Sequence, residues 1–237
     1  MYSPTGMTTA LAFDVYGTLI DTAGVVTTLG GMIGDRAAGF ASLWREKQLE
    51  YSFRRALMRR YEVFAVCVGD ALDFCCASLD VTLTEAQREA LLAAYRHLPA
   101  FEDARMSLAG LDRDRFAAYA FSNGTREAVE TLLEGAGIRD HFVDVVSVDE
   151  IGSFKPNPDV YHHFLSRSGA AAGRAWLISG NPFDVIGALG VGMKSAWIRR
   201  SAKAVFDPWR VEPTLTLAGL EALGDRIAAY HAKESSR

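Results

Sequence analysis

"LAFDVYGTLIDT", residues 11–22, is an apolar run that ends at Asp14 and passes at once into Tyr16, Gly17 and Thr18. A short continuous run of this kind, closed by a glycine turn, has the composition of a strand covered on both faces, as in a parallel sheet. Three further runs share it: "RFAAYAF" (115–121) into Ser122, "FVDVVSV" (142–148) into Asp149 and "RAWLIS" (174–179) into Gly180, with "KSAWIRR" (194–200) a fifth. The first strand itself begins at "TALAF", 9–13. Between the runs lie helical patterns such as "TREAVETLLEGAG" (125–137), with apolar positions three and four apart and Gly137 placed for the C-terminal turn. Strand and helix alternate, which predicts an α/β fold: a Rossmann-like parallel sheet with right-handed crossovers.

After the first strand the pattern changes. From 23 to 99 it is helical alone: "GFASLWREKQLEYSFRRALMRRYEVFAV" (39–66), "GDALDFCCASLD" (69–80) and "TEAQREALLAAYRHL" (84–98), where Thr84 and Gln87 have capping-box spacing. The expected organisation is a core domain of 1–22 and 100–237 and a helical cap domain of 23–99, closing over the carboxyl ends of the strands where ligands bind in such sheets.

The 237 residues, 49% hydrophobic and 23% charged, suit one well-packed α/β domain with an insertion. A formal charge of −4 provides no general basic field for nucleic acid or an anionic membrane, so the expected partners are small molecules. No apolar segment approaches a membrane span and the start has no basic n-region, which points to a cytoplasmic protein. Cys67, Cys75 and Cys76 lack metal-like spacing and read as small core residues, and the five histidines form no zinc array. His162 and His163 read as a pair on an exposed helix with no role.

Polar residues stand at or just after each strand end: Asp14, Tyr16 and Thr18; Ser122, Asn123 and Thr125; Lys155; and Ser179, Asn181 and Asp184. Gathered at one edge they make a small-anion site with a carboxylate nucleophile, with Lys155 supplying positive charge and no histidine available as base.

This constellation resembles the haloacid dehalogenase superfamily, through D-x-Y-G-T-L around Asp14, S-N-G-T at Ser122–Thr125 and K-P-x-P at Lys155–Pro158. Most of its members are phosphatases with a second aspartate two residues after the nucleophile, protonating the leaving alkoxide. Here that residue is Tyr16. A halide departs as the anion and needs no such acid, and a monoanionic 2-haloacid needs less positive charge than a phosphate, so the resemblance implies no metal and no cofactor. It sharpens to the L-2-haloacid dehalogenase branch through "LWREKQLEYSFRRALM" (43–58), "KPNPDVY" (155–161) and S-x-N-x-x-D at Ser179, Asn181 and Asp184.

The branch implies that Asp14 displaces halide from the carbon beside the substrate carboxylate, forming an ester that water then hydrolyses to a 2-hydroxy acid of inverted configuration. Arg45, Asn123 and the edge of Phe64 would receive the halide. Ser122 and the backbone near Val15 and Tyr16 would hold the carboxylate, with Leu49 and Phe183 completing the substrate pocket. Thr18 and Ser179 would orient Asp14, Lys155 with Tyr161 would stabilise developing charge, and Asp184 with Asn181 would position the water. Homodimers, built partly through the cap segment, are implied as well. Gly180 and Phe183 depart from the Ser and Trp common in the branch, and Glu46 from Gln. Gly180 and Phe183 change the volume beside the carboxylate, where one methylene is worth about 1–3 kcal/mol of discrimination. Other readings of the same residues are a phosphatase, a hydrolase of strained rings such as azetidine-2-carboxylate, a dehalogenase that accepts fluoroacetate, and an idle carboxylate-binding protein.

Overall fold

The computed structural model describes residues 8–236. The predicted strands form β1 (Thr9–Asp14), β2 (Phe116–Ser122), β3 (Asp144–Ser147), β4 (Ala175–Ser179) and β5 (Lys194–Ile198). All run parallel, in the order β3-β2-β1-β4-β5, and β6 (Leu215–Leu217) extends the last edge. From the central β1 the chain winds first toward β3 and then, from β4, toward the opposite edge. Such a reversal opens a crevice at the carboxyl ends of the two central strands, here Asp14 and Ser179. Every residue of β1, β2 and β4 is buried.

Four helices follow β1: α1 (Gly24–Ile33), α2 (Ala37–Leu57), α3 (Phe64–Ser78) and α4 (Glu85–Ala94). They leave and return through paired backbone: Asp21 N–H donates to Pro99 O (2.9 Å) and Phe101 N–H to Leu19 O (2.9 Å), about an antiparallel bridge of Ile20 with Ala100. The indole of Trp44 donates to Val68 O (2.9 Å) and the Gln48 amide to the Tyr95 hydroxyl (2.9 Å), tying α2 to α3 and to the end of α4. Buried Cys67 and Cys75 and half-buried Cys76 are free thiols in this helical layer. Then come α5 (Glu102–Ala109), α6 (Arg126–Gly135), α7 (Pro158–Ser168), α8 (Pro182–Gly190) and α9 (Leu223–Ser235). No helix among the described residues is long and apolar enough to cross a membrane.

Three differences from the sequence reading have local causes. The helix expected over 39–66 ends at Leu57, because Arg59 turns left-handed (φ 53°) and Arg60 N–H reaches back to Arg55 O (2.9 Å), a Schellman closure without glycine. The run at 142–148 is a strand only over Asp144–Ser147; Ser147 Oγ accepts from Asp149 N–H (3.1 Å) and starts a 3₁₀ turn, Val148–Ile151. "KSAWIRR" stops at Ile198, where Arg200 turns to pair with Asp103 of α5 (2.8 Å) and to donate to Thr18 O (2.5 Å). Two of the local signals hold as read: Thr84 and Gln87 form the capping box of α4, and Gly137 adopts φ 69° after α6.

Candidate active site

Asp14 ends β1 as a buried residue, its side chain 12% exposed. Its two oxygens are held differently. Oδ2 accepts from Thr18 Oγ1 (2.8 Å), Asn181 Nδ2 (2.8 Å) and Ser179 Oγ (3.3 Å), whereas among the described residues Oδ1 accepts only from Lys155 Nζ (3.2 Å). Each hydroxyl also accepts a backbone N–H, Thr18 from Gly180 (2.8 Å) and Ser179 from Asn181 (3.1 Å), so its own hydrogen is committed to Asp14. The Gly17 turn (φ 80°) brings Thr18 under the carboxylate. A Cβ at Gly180 would stand 2.8 Å from Gly17 O, so the β1 and β4 loops lie closer here than a serine at 180 would allow.

Lys155 is buried and donates all three ammonium hydrogens, to Asp14, to Asp184 Oδ2 (2.9 Å) and to Phe121 O (2.8 Å), over the Phe121 ring. Burial alone would lower its pKa; the charges of Asp184 and Asp14 outweigh burial and raise it. Asp184 moves up as well, through burial first and the repulsion of Asp14, with Lys155 acting against them. Tyr161, read together with Lys155 as a stabiliser of developing charge, donates to Asp184 Oδ1 (2.8 Å). Asn181, expected to serve water, bonds Asp14 directly. Among the described residues no three His, Cys, Asp or Glu side chains converge as a metal cage, and the position between Asp14 and Asp184 is taken by the Lys155 ammonium, a set that does not fit a divalent ion.

Around this centre, Ser122 Oγ accepts from Gly124 N–H (3.1 Å), leaving its hydrogen to donate to a ligand. Asn123 Oδ1 accepts the Lys155 backbone N–H (3.0 Å), which leaves its amide hydrogens for a ligand in the same way. Val15 and Tyr16 follow the last paired residue of β1. The Tyr16 phenol is pushed up to about 12 by burial, with the Arg45 charge pulling it the other way, so it is neutral at ordinary pH. Arg45, half-buried on α2, lies near both Tyr16 and Tyr95, and among the described residues it has no carboxylate partner. Formally, Asp14, Asp184 and Lys155 sum to −1, and Arg45 brings the site to neutrality before a monoanion enters.

Leu49 is half-buried on the same helix. Phe64 is buried and packs on Phe154 (6.1 Å between centroids), and Phe183 meets Phe53 of α2 edge to face (5.0 Å). Glu46 is exposed and accepts from Ser42 (3.3 Å), so that departure lies outside the site. His163 is half-buried against Glu150 (3.1 Å), part of a surface ion-pair cluster with Arg126, Arg167 and Asp144.

Sequence reasoning missed two supports. Ser147 donates to Gly124 O (2.7 Å) and braces the turn carrying Ser122 and Asn123. Gly187 of α8 lets the Tyr161 ring lie against the helix, where a Cβ would stand 2.6 Å from Tyr161 Cζ; the isolated glycine inside "PFDVIGALG" was the available signal.

A family model for haloacid dehalogenase-like hydrolases matches residues 8–192. The chain is 34% identical to the (S)-2-haloacid dehalogenase of Pseudomonas sp. strain YL, over 90% of its length and 91% of the relative. It is 31% identical to haloacetate dehalogenase H-2 of Moraxella sp. strain B, over 92% and 97%. L-2-haloacid dehalogenase from Xanthobacter autotrophicus, solved with chloropropionic acid covalently bound, superposes with a TM-score of 0.85 at 29% identity, covering 94% of this chain and 99% of that one. Fold, site and relatives agree, and the chain belongs to the haloacid dehalogenase-like hydrolases.

Proposed function

We propose that the protein hydrolyses small L-2-haloacids to 2-hydroxy acids of inverted configuration through an ester on Asp14. The observation that carries this is the unequal bonding of the Asp14 oxygens. Oδ1, with one long contact, has lone pairs free to attack the carbon bearing the halogen. The carbon–halogen bond breaks with its electron pair, and the halide leaves unprotonated toward Arg45 and Asn123, beside Phe64. Ser122 and the backbone at Val15 and Tyr16 hold the substrate carboxylate, and Leu49 and Phe183 bound its side. The names of the relatives and the covalently bound chloropropionate in one of them support the same substrate class.

Esterification turns the Asp14 carboxylate into a neutral acyl group, and Lys155 is left with Asp184 alone. Water then adds to the acyl carbon, its proton passing to Asp184, whose proton affinity burial has raised and which Tyr161 holds in place. The charge that develops on Oδ2 falls where Thr18, Ser179 and Asn181 already donate, an arrangement fixed before the reaction starts. The acyl–oxygen bond breaks as Asp184 returns that proton to the departing alkoxide oxygen, the hydroxy acid leaves with its inverted centre intact, and Asp14, which keeps one oxygen from water, sheds the remaining proton to become a carboxylate again.

Removing one such donor should cost about 10²–10³ in kcat. In Asn181→Ala the ester should accumulate, visible by mass spectrometry of the quenched protein; an unchanged rate would remove Asn181 from this role. The activity itself is tested by free halide from L- and D-2-chloropropionate and from fluoroacetate, with chelator present. Chloride from the L isomer alone supports the reading, and turnover of a phosphate ester restored by magnesium, with no halide, overturns it. The segment 23–99 serves as the cap over this site, and 1–22 with 100–237 as the core. Leu57 and Met58, 88% and 61% exposed at the end of α2, suit the subunit contact of a homodimer.

A further inference from the structure

A cavity of about 170 Å³ lies between the helical layer and α6, lined by Tyr16, Phe64, Val68, Leu92, Tyr95 and Gly124, with Arg96 exposed at its mouth. It is slightly larger than the ~150 Å³ apolar cavity that accommodates benzene. Two of its walls belong to the reacting centre: Tyr16 stands two residues after the nucleophile, and Gly124 closes the turn that carries Ser122 and Asn123. At Gly124 a Cβ would stand 3.2 Å from Val129 Cγ2 and 3.5 Å from Ser122 Oγ, so the missing side chain keeps this wall thin. The opposite wall is fixed in advance. Tyr95 is held by the Gln48 amide (2.9 Å) and by the edge of Trp44 (5.1 Å between centroids, 85°). On the far side of the site Phe183 is already packed on Phe53.

We infer that this cavity receives the hydrocarbon substituent at C2 of the substrate, and that the enzyme takes 2-haloacids with side chains of three to six carbons or a phenyl ring. The inference rests on the proposed dehalogenation for its chemistry, and on the cavity for its chain length. Apolar burial gains about fourfold per methylene, so the longer acid is favoured once it fits. A polar group carried deep into the cavity would lie against Phe64, Val68 and Leu92, away from Arg96 at the mouth and Thr125, and would lose its hydration there.

The test compares kcat/KM for L-2-bromohexanoate and L-2-bromopropionate, and the inhibition constants of hexanoate and propionate. It uses wild type, Val68→Phe, which fills the cavity from α3, and Ala128→Leu, which fills it from the exposed first turn of α6. The wild type should favour the six-carbon compounds at least tenfold, and each variant should lower that ratio at least tenfold. If Val68→Phe fails to fold, Ala128→Leu reports alone. A ratio that both variants leave unchanged, or hexanoate binding no tighter than propionate, overturns the inference. If no haloacid yields halide while hexanoate still binds at least tenfold tighter than propionate and the variants abolish the difference, the catalytic reading fails and the cavity assignment stands.

Discussion

Asp14→Asn should lower halide release from L-2-chloropropionate by at least about 10⁴-fold, a loss of the size seen when a covalent nucleophile is removed, with the protein still folded. The amide keeps an oxygen for Thr18, Ser179 and Asn181 but presents no anion to the substrate carbon. Stability should not fall, because two carboxylates share one buried ammonium in the wild type and Lys155 keeps Asp184. Thermal denaturation of the variant beside the wild type checks this. Isotopic water separates the two chemical steps. In a single wild-type turnover in ¹⁸O water the label should enter Asp14, and only later turnovers should carry it into the hydroxy acid. Label in the product of the first turnover would mean that water attacks the substrate directly and would sink the ester mechanism.

Lys155→Met should abolish turnover and also destabilise the fold. The ammonium is buried, and its loss leaves Asp184 wholly enclosed beside Asp14 with no cation. Breaking such a buried pair costs about 3–5 kcal/mol, a fall on the order of 10 °C in melting temperature for a chain of this size. The pH dependence identifies the cause. Asp184 titrates above its ordinary 3.8 in the folded wild type and should move further up in the variant. A carboxyl raised in the folded state destabilises nothing below its unfolded pKa, and its cost grows as pH rises from there to the folded value. The gap in melting temperature between variant and wild type should therefore be small near pH 4 and widen as the pH is raised above it. A gap of constant size would place the loss in packing of the lysine stem instead.

The central strands could be read from sequence because burial on both faces leaves unbroken apolar runs, and because their last residues change abruptly to polar types. That change also located Asp14, Ser122, Ser179 and their neighbours. Lys155 was legible only through its proline context, since it reaches the centre from a loop after β3. β6, Leu215–Leu217, is too short to carry a period, and the end of α2 rests on a left-handed arginine that no propensity favours. Partner choice was the least visible layer. That Tyr161 meets Asp184 depends on how closely α7 approaches α8, which the absent side chain of Gly187 permits, and spacing along the chain says nothing about it.

The doorway through which the helical segment leaves the sheet has an engineering consequence. Leu19 and Asp21 are backbone-bonded to Phe101 and Pro99, so the departing and returning strands already lie side by side. The register of β1 against β2 and β4 is set outside that junction, and lengthening a closed loop costs only about 0.6 kcal/mol per doubling. The sheet with its nucleophile is thus a socket. Exchanging the segment between 22 and 100 should leave the register of the strands unchanged, while the halide-receiving groups proposed at Arg45 and Phe64 would have to be supplied again by whatever replaces it.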